Sequence, residues 1–179
     1  MIYSITICPK HRARINEGVR FSFSSAINVL VGPNGSGKSS LLEAIYTCSD
    51  CNISADKDTK YSYFNSETMN PHLPYNNIMK MSPSIIRVRA MFSSHGETMR
   101  DVLASLSFHS GDCLLLDEPE TGHDLWWVLR IRKGLDKIVR KGCQIIAASH
   151  HPVFWKDVNI IELHKGYFYK TFKEFKKHI

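Results

Sequence analysis

Glutamine is almost missing from this chain: Gln144 is the only one among 179 residues. Long apolar runs are missing too. The longest are a few residues, far short of the ~20 needed to cross a bilayer, so no membrane insertion is expected. Met1 to Arg20 has neither a long apolar stretch nor a small-residue cleavage site, so no secretory signal is expected. Cysteines are few, at positions 8, 48, 51, 113 and 143. An odd count at wide spacing does not make a disulfide framework, and a reducing, cytoplasmic setting is the expectation. Cys48-Ser-Asp-Cys51 has C-x-x-C spacing but no second Cys or His pair near it in sequence. Ordinary thiols are therefore expected there, not a zinc or redox site. Acidic residues are outnumbered, 17 against 23 Lys plus Arg, for a net charge of +6. That excludes an acidic solvating protein and leaves anionic partners, nucleic acid among them, open. The length suits one domain over 1–179, with no room for a long coiled-coil arm, a membrane domain or a second catalytic domain.

What is present reads as buried strands alternating with helices. Met1 to Cys8 and Val19 to Ser25 alternate like half-buried strands. Ala26 to Val31, Cys113 to Leu116 and Gln144 to Ser149 are apolar enough for strands covered on both faces. Lys38 to Thr47, Gly96 to Phe108 and Asp124 to Lys141 have helical spacing. Ser49 to Ser84 is polar and weakly periodic apart from Lys60 to Phe64, and reads as an insertion or small lobe over the core. Ile85 to Met91 is apolar and basic. Val158 to Leu163 and Tyr167 to Phe172 read as strands joined by a turn at Lys165-Gly166. The basic tail from Lys165 to Lys177 is then a solvated edge hairpin, or a surface for nucleic acid or a partner. The pattern predicts an α/β layered domain.

The strongest local signal is Gly32-Pro33-Asn34-Gly35-Ser36-Gly37-Lys38-Ser39, followed by Ser40. It fits G-x-x-x-x-G-K-[ST], the phosphate loop. Glycines let backbone N–H groups converge on phosphate oxygens without side-chain obstruction. Lys38 brings a positive charge to the β and γ phosphates, and Ser39 offers a hydroxyl to Mg²⁺. The helix that follows points its N-terminus at the anion. A buried strand precedes the loop, so the context test is met and ATP-type nucleotide binding is predicted.

Cys113-Leu-Leu-Leu-Asp117-Glu118-Pro119-Glu120 places two adjacent carboxylates at the end of a buried strand. In phosphoryl transfer the first such group, Asp117, helps hold Mg²⁺. The second, Glu118, can take a proton from the attacking water. A solvated acidic turn is the plain alternative, and the neighbouring phosphate loop weighs against it.

Asp117-Glu118-Pro119 followed by Glu120-Thr-Gly-His-Asp124 resembles the Walker B segment and D-loop of ABC-type ATPases. Ser93-Ser94-His95-Gly96-Glu97 resembles their signature loop, and Ser149-His150-His151-Pro152 their switch-histidine segment. In order and spacing the chain is similar to small stand-alone ATPases, labelled AAA but with ABC-type heads, related to recombination and chromosome-structure ATPases. The resemblance covers about Met1 to Leu163.

It implies a P-loop fold. A mostly parallel sheet would be flanked by helices, with an N-terminal antiparallel β part and a reduced helical lobe. It also implies ATP hydrolysis with Mg²⁺ and dimerisation around ATP. The signature loop Ser94, His95, Gly96 and Glu97 would cap the γ-phosphate bound by a second copy or another protein. Ser94 with Glu97 also makes a helix capping box, which is compatible with that role. His150 would sense the γ-phosphate and orient water or Glu118, and Asp124 would lie across the interface. His123 departs from the family's usual leucine. No glutamine stands where the family has one, and Glu67 or Asn65 are the available substitutes at the Mg²⁺ water. For the adenine, Tyr3, Arg12 and Arg14 are only candidates.

Coupling to nucleic acid or a partner, in DNA repair or defence, fits such a head. The alternatives are a regulatory subunit with low turnover and an ABC transporter motor. The short stretch from Lys38 to Ser94 and the missing glutamine weigh against the transporter. A ring-forming AAA+ motor would need a helical lid, and none follows Ser149.

Overall fold

The computed structural model describes residues 1–65 and 109–178. The signature loop, Glu67, the apolar and basic Ile85 to Met91 and the helix expected over Gly96 to Phe108 lie outside the described residues.

Two sheets share the core. The first is antiparallel, in the order β2-β1-β4, from β1 (Ile2–Thr6), β2 (Arg20–Ser22) and β4 (Asn52–Ala55). The second is parallel, in the order β5-β6-β7-β3-β8. It comprises β3 (Ile27–Val31), β5 (Tyr61–Asn65), β6 (Cys113–Asp117), β7 (Gln144–Ala148) and β8 (Asn159–Glu162). The helices are α1 (Lys38–Thr47), α2 (Leu125–Arg140) and α3 (Tyr167–Phe175), with short 3₁₀ turns at Pro9–His11 and Pro152–Trp155.

Every residue of β3, β6 and β7 is buried, which explains their unbroken apolar runs. Alternation still sorts them. Val29, Val31, Leu114, Leu116, Ile145 and Ala147 join one apolar cluster with Val128, Ile131, Leu135 and Ile138 of α2. Leu30, Leu115, Ile146 and Ala148 join the other, with Leu41, Leu42 and Ile45 of α1 and Ile2 and Ile5 of β1. The parallel sheet is thus covered on both faces, α2 on one and α1 with the antiparallel sheet on the other. Gln144, the lone glutamine, is fully buried and bridges the sheets. Its amide nitrogen donates to the Ile2 and Ser24 carbonyls at 2.7 Å each, and its oxygen accepts from the Ile2 N–H at 2.8 Å.

Two expectations are corrected. The polar insertion or small lobe expected from Ser49 gives way, within residues 49–65, to two sheet strands, the second of which bears out the strand-like reading of Lys60 to Phe64. Asn52–Ala55 pairs with β1, and Tyr61–Asn65 is the edge strand of the parallel sheet, hydrogen-bonded to β6. Asn52–Ala55 does alternate between exposed and half-buried residues, but four residues are too few to set a strand apart from a loop. The second concerns the tail: Tyr167–Phe175 is a helix, not the second strand of a hairpin. Phe168, Phe172 and Phe175 recur every three or four residues and stack along one side, with Phe168 and Phe172 against Trp155. Burying that stripe requires the helical period.

Candidate functional site

The register across the parallel sheet lines up Asn65, Asp117, Ala148 and Leu30 on four neighbouring strands. These are the carboxyl ends of β5, β6, β7 and β3, where ligands gather in open α/β sheets. The phosphate loop leaves β3 at this edge and runs into α1. Gly37 sits at the α1 N-cap with φ +93°, and a Cβ there would meet Ile15 Cγ1 at 2.7 Å and the Arg14 carbonyl oxygen at 2.9 Å. Only glycine fits. A Cβ on Gly32 would likewise meet Ser36 Oγ at 2.5 Å. Ser36 Oγ is itself buried with no hydrogen-bond partner among the described residues.

Lys38 is buried, and its ammonium donates to the Gly32 and Pro33 carbonyls at 3.1 and 3.2 Å. Burial lowers its pKa, opposed by the charges of Glu118, Asp117 and Glu120. Asp117 is also buried. Its Oδ1 accepts from Ser39 Oγ at 3.2 Å, and its Oδ2 accepts from Asn65 Nδ2 at 3.1 Å and Tyr63 Oη at 3.3 Å. Burial raises the carboxyl's pKa, while the bonds from Ser39 and Tyr63 oppose that shift. The Ser39 hydroxyl and the Asp117 carboxylate form a hard oxygen donor set beside the loop, and such a set fits Mg²⁺.

Glu118 follows with φ +49°, the left-handed region that non-glycine residues rarely occupy. Its N–H is held by the Ala148 carbonyl at 2.9 Å, and its Oε2 accepts from Thr121 Oγ1 at 3.2 Å. Such a conformation costs of order 1 kcal/mol and persists where the surroundings impose it. His150, one residue beyond Ser149 at the end of β7, has its Nε2 3.9 Å from Glu118 Oε1. That is near enough to feel the carboxylate but beyond hydrogen-bond reach, and Nε2 is buried with no partner among the described residues. Burial, then the Lys38 cation, lower the imidazole's pKa, with Glu118 opposing. A neutral ring faces the site.

Sequence reasoning missed one organiser. Glu120 Oε1 accepts from Ser149 Oγ at 2.8 Å, the His150 N–H at 2.8 Å and the His151 N–H at 3.2 Å. This carboxylate fixes the turn that aims His150. Its signal was there, as a third acid after Asp117-Glu118-Pro119, but its partners are 30 residues away.

The structure therefore brings together the loop, Ser39, Asp117, Glu118, His150 and Asn65. Asp124 lies apart from them as the N-cap of α2, where Oδ1 accepts from the Trp127 N–H at 2.9 Å. Tyr3 is committed to the antiparallel sheet, its hydroxyl donating to Asp56 Oδ1 at 2.7 Å.

Comparison with known proteins agrees with this geometry. A nucleotide-free ATP-binding cassette from an ABC transporter superposes with TM-score 0.55 at 14% identity, over 90% of this chain and 87% of that one. The ADP conformation of another ABC-transporter cassette gives 0.53 at 16%, over 84% and 82%. The cbiO1 protein of Clostridium perfringens, part of the ABC transporter complex cbiONQ, gives 0.51 at 19%, over 92% and 86%. No curated protein matches the chain. A family model described as an AAA domain matches residues 11–110, more than half of the sequence. The chain belongs to this AAA-domain family of P-loop ATPases and has the fold of an ABC-type ATP-binding cassette.

Proposed function

We propose that the protein binds ATP and hydrolyses it to ADP and phosphate. The observation that carries this reading is the convergence of Ser39, Asp117, Glu118 and His150 on the end of the phosphate loop. Backbone N–H groups of residues 33–39 and the Lys38 ammonium bind the β and γ phosphates. Ser39 and Asp117 would hold Mg²⁺, which supplies positive charge to the phosphate oxygens. Glu118 accepts a proton from water as its oxygen attacks the γ-phosphorus in line, and ADP leaves through its β-phosphate oxygen. The neutral His150 ring donates Nε2–H to a γ-phosphate oxygen and keeps Glu118 company without neutralising it. Glu120 holds that ring in place.

The reading extends to a dimer around ATP, in which Ser94 and Gly96 of a second copy or another protein complete the site. An apolar patch supports it. Leu125, Trp126 and Leu129 at the start of α2 are 60%, 55% and 43% exposed, directly after Asp124. Coupling to nucleic acid or a partner in repair or defence is supported only by charge, with Lys170, Lys173, Lys176 and Lys177 exposed on and just past α3. The transporter titles of the structural neighbours describe those proteins. For this chain the short span between Lys38 and Ser94 favours a machine that is not docked on a membrane domain.

Turnover, nucleotide binding and oligomeric state of Glu118→Gln against the parent test the reading. The variant should bind ATP, hydrolyse it at least about 100-fold more slowly, and accumulate as a dimer. Unchanged turnover would remove Glu118 as the base. A monomer in saturating ATP and Mg²⁺ would remove the sandwich dimer.

A further inference from the structure

The chain carries a second cluster of chemical groups that the phosphate-loop site does not use. Cys8 ends the run after β1 and caps the 3₁₀ turn Pro9–His11. Cys48 is the C-cap of α1, and Cys51 immediately precedes β4. One ligand atom each from Cys8, His11, Cys48 and Cys51 lie within 4.8 Å of one another. In sequence these are a C-x-x-H knuckle and a C-x-x-C knuckle, the two halves that four-coordinate sites are built from. The partner pair missing from the sequence around Cys48 is supplied by the folded N-terminus.

We propose that Cys8, His11, Cys48 and Cys51 form a structural zinc site. Two distances and one orphan support it. Cys8 Sγ and Cys48 Sγ are 3.7 Å apart. Two Zn–S bonds of about 2.3 Å at a tetrahedral angle place their sulfurs about 3.8 Å apart. The same separation is far beyond a disulfide, and all five cysteines are free thiols. The Cys8 N–H donates to Cys51 Sγ at 3.4 Å, the kind of backbone bond that stabilises a metal-bound thiolate. His11 Nε2 is buried with no hydrogen-bond partner among the described residues. Such a nitrogen normally costs stability unless something accepts or takes its lone pair.

Three sulfurs and one imidazole are soft and borderline donors, so Zn²⁺ is favoured over Mg²⁺ or Ca²⁺. Four protein ligands close a tetrahedron and leave no position for water, which makes the site structural, not catalytic. Its place in the fold gives it a task. It would tie the turn after β1 to the far end of α1 and the start of β4. The segment leaving that turn puts Arg14 and Ile15 against Gly37, at the head of α1. The metal would brace the antiparallel sheet and the phosphate-loop helix as one unit.

The test is metal content of the full chain purified under reducing conditions without chelator, followed by cobalt substitution. About one zinc per chain is expected. Metal-stripped protein should take up Co²⁺ and show tetrahedral d–d bands with thiolate-to-cobalt charge transfer, both erased by Zn²⁺. Cys48→Ser, Cys51→Ser and His11→Ala should each weaken retention at least tenfold, while Cys143→Ser, on the opposite apolar cluster, should keep it. Zinc-free protein that gives no such cobalt spectrum would overturn the site, and this readout on the parent chain holds even if the variants fold poorly. Zinc retained by the Cys48→Ser/Cys51→Ser double variant would also overturn it, as would a metal-free chain with Cys8, Cys48 or Cys51 joined in a disulfide.

Discussion

Asp117 holds its charge where burial opposes one. The desolvated carboxyl has a raised pKa, and hydrogen bonds from Ser39 and Tyr63 offset only part of that shift. A group whose folded pKa lies above its unfolded value stabilises the fold at low pH, and that contribution is lost as pH rises through the folded value. At neutral pH the ionised Asp117 therefore costs stability, as expected of a group kept for a cation. Asp117→Asn should raise the Tm of the nucleotide- and Mg²⁺-free protein at pH 7. The difference should shrink as pH falls toward the ordinary carboxylate range, while ATP turnover is lost. Thermal unfolding across pH checks it, and a variant less stable than the parent at pH 7 would contradict the account. The strained Glu118 and the His150 Nε2, which has no partner among the described residues, fit the same pattern, since groups held ready for a substrate are rarely satisfied without it.

Among the elements, α3 is where local reading and tertiary packing part most clearly. Tyr-Phe-Tyr-Lys-Thr-Phe-Lys satisfies a period of two as readily as one of 3.6 over so few residues. The choice falls to Trp155, which offers a surface that Phe168 and Phe172 can cover only from a helix. Phe172→Ala should cost about 2 kcal/mol, a fall in Tm of roughly 4–8 °C at this chain length. Lys173→Ala, on the exposed side, should change stability by less than about 0.5 kcal/mol. Equal effects at the two positions would mean that α3 is not anchored through its aromatic stripe. By contrast β3, β6, β7 and α1 were legible outright. Full burial on both sheet faces demands continuous apolar runs, and α1 begins at the loop that defines it. Edge strand β4 was not legible, because its alternation runs for only the four residues Asn52–Ala55.

At the scale of the molecule, the apolar patch on α2 is left exposed by the described residues. Trp126 is exposed while its neighbour Trp127 packs against the core, and the Arg130 guanidinium lies 4.1 Å from the Trp126 ring centre. If Leu125, Trp126 and Leu129 meet a second copy, Trp126→Ala in the Glu118→Gln background should weaken the ATP-dependent dimer at least tenfold, about 1.4 kcal/mol. Monomer Tm should hardly move. Sedimentation in ATP and Mg²⁺ reads the first, and calorimetry the second. A dimer of unchanged affinity would place the interface elsewhere.

The near absence of glutamine shows where sequence ends and structure begins. Eight consecutive residues, Gly32 to Ser39, determine a phosphate loop by themselves, because its chemistry is backbone geometry plus one lysine and one hydroxyl. Asp117 and Glu118 were equally plain at the end of a buried strand. Register decided the rest. Parallel pairing sets Asn65 beside Asp117, in hydrogen-bond contact with it, with no glutamine needed for that contact. Gln144, which sequence left without a role, ties the two sheets together. Cys48-x-x-Cys51 looked ordinary because its complement, Cys8 and His11, lies some 40 residues away. Contacts within a turn are written in the order of residues. Contacts across the chain exist only after β1 has paired with β4 and docked on the parallel sheet.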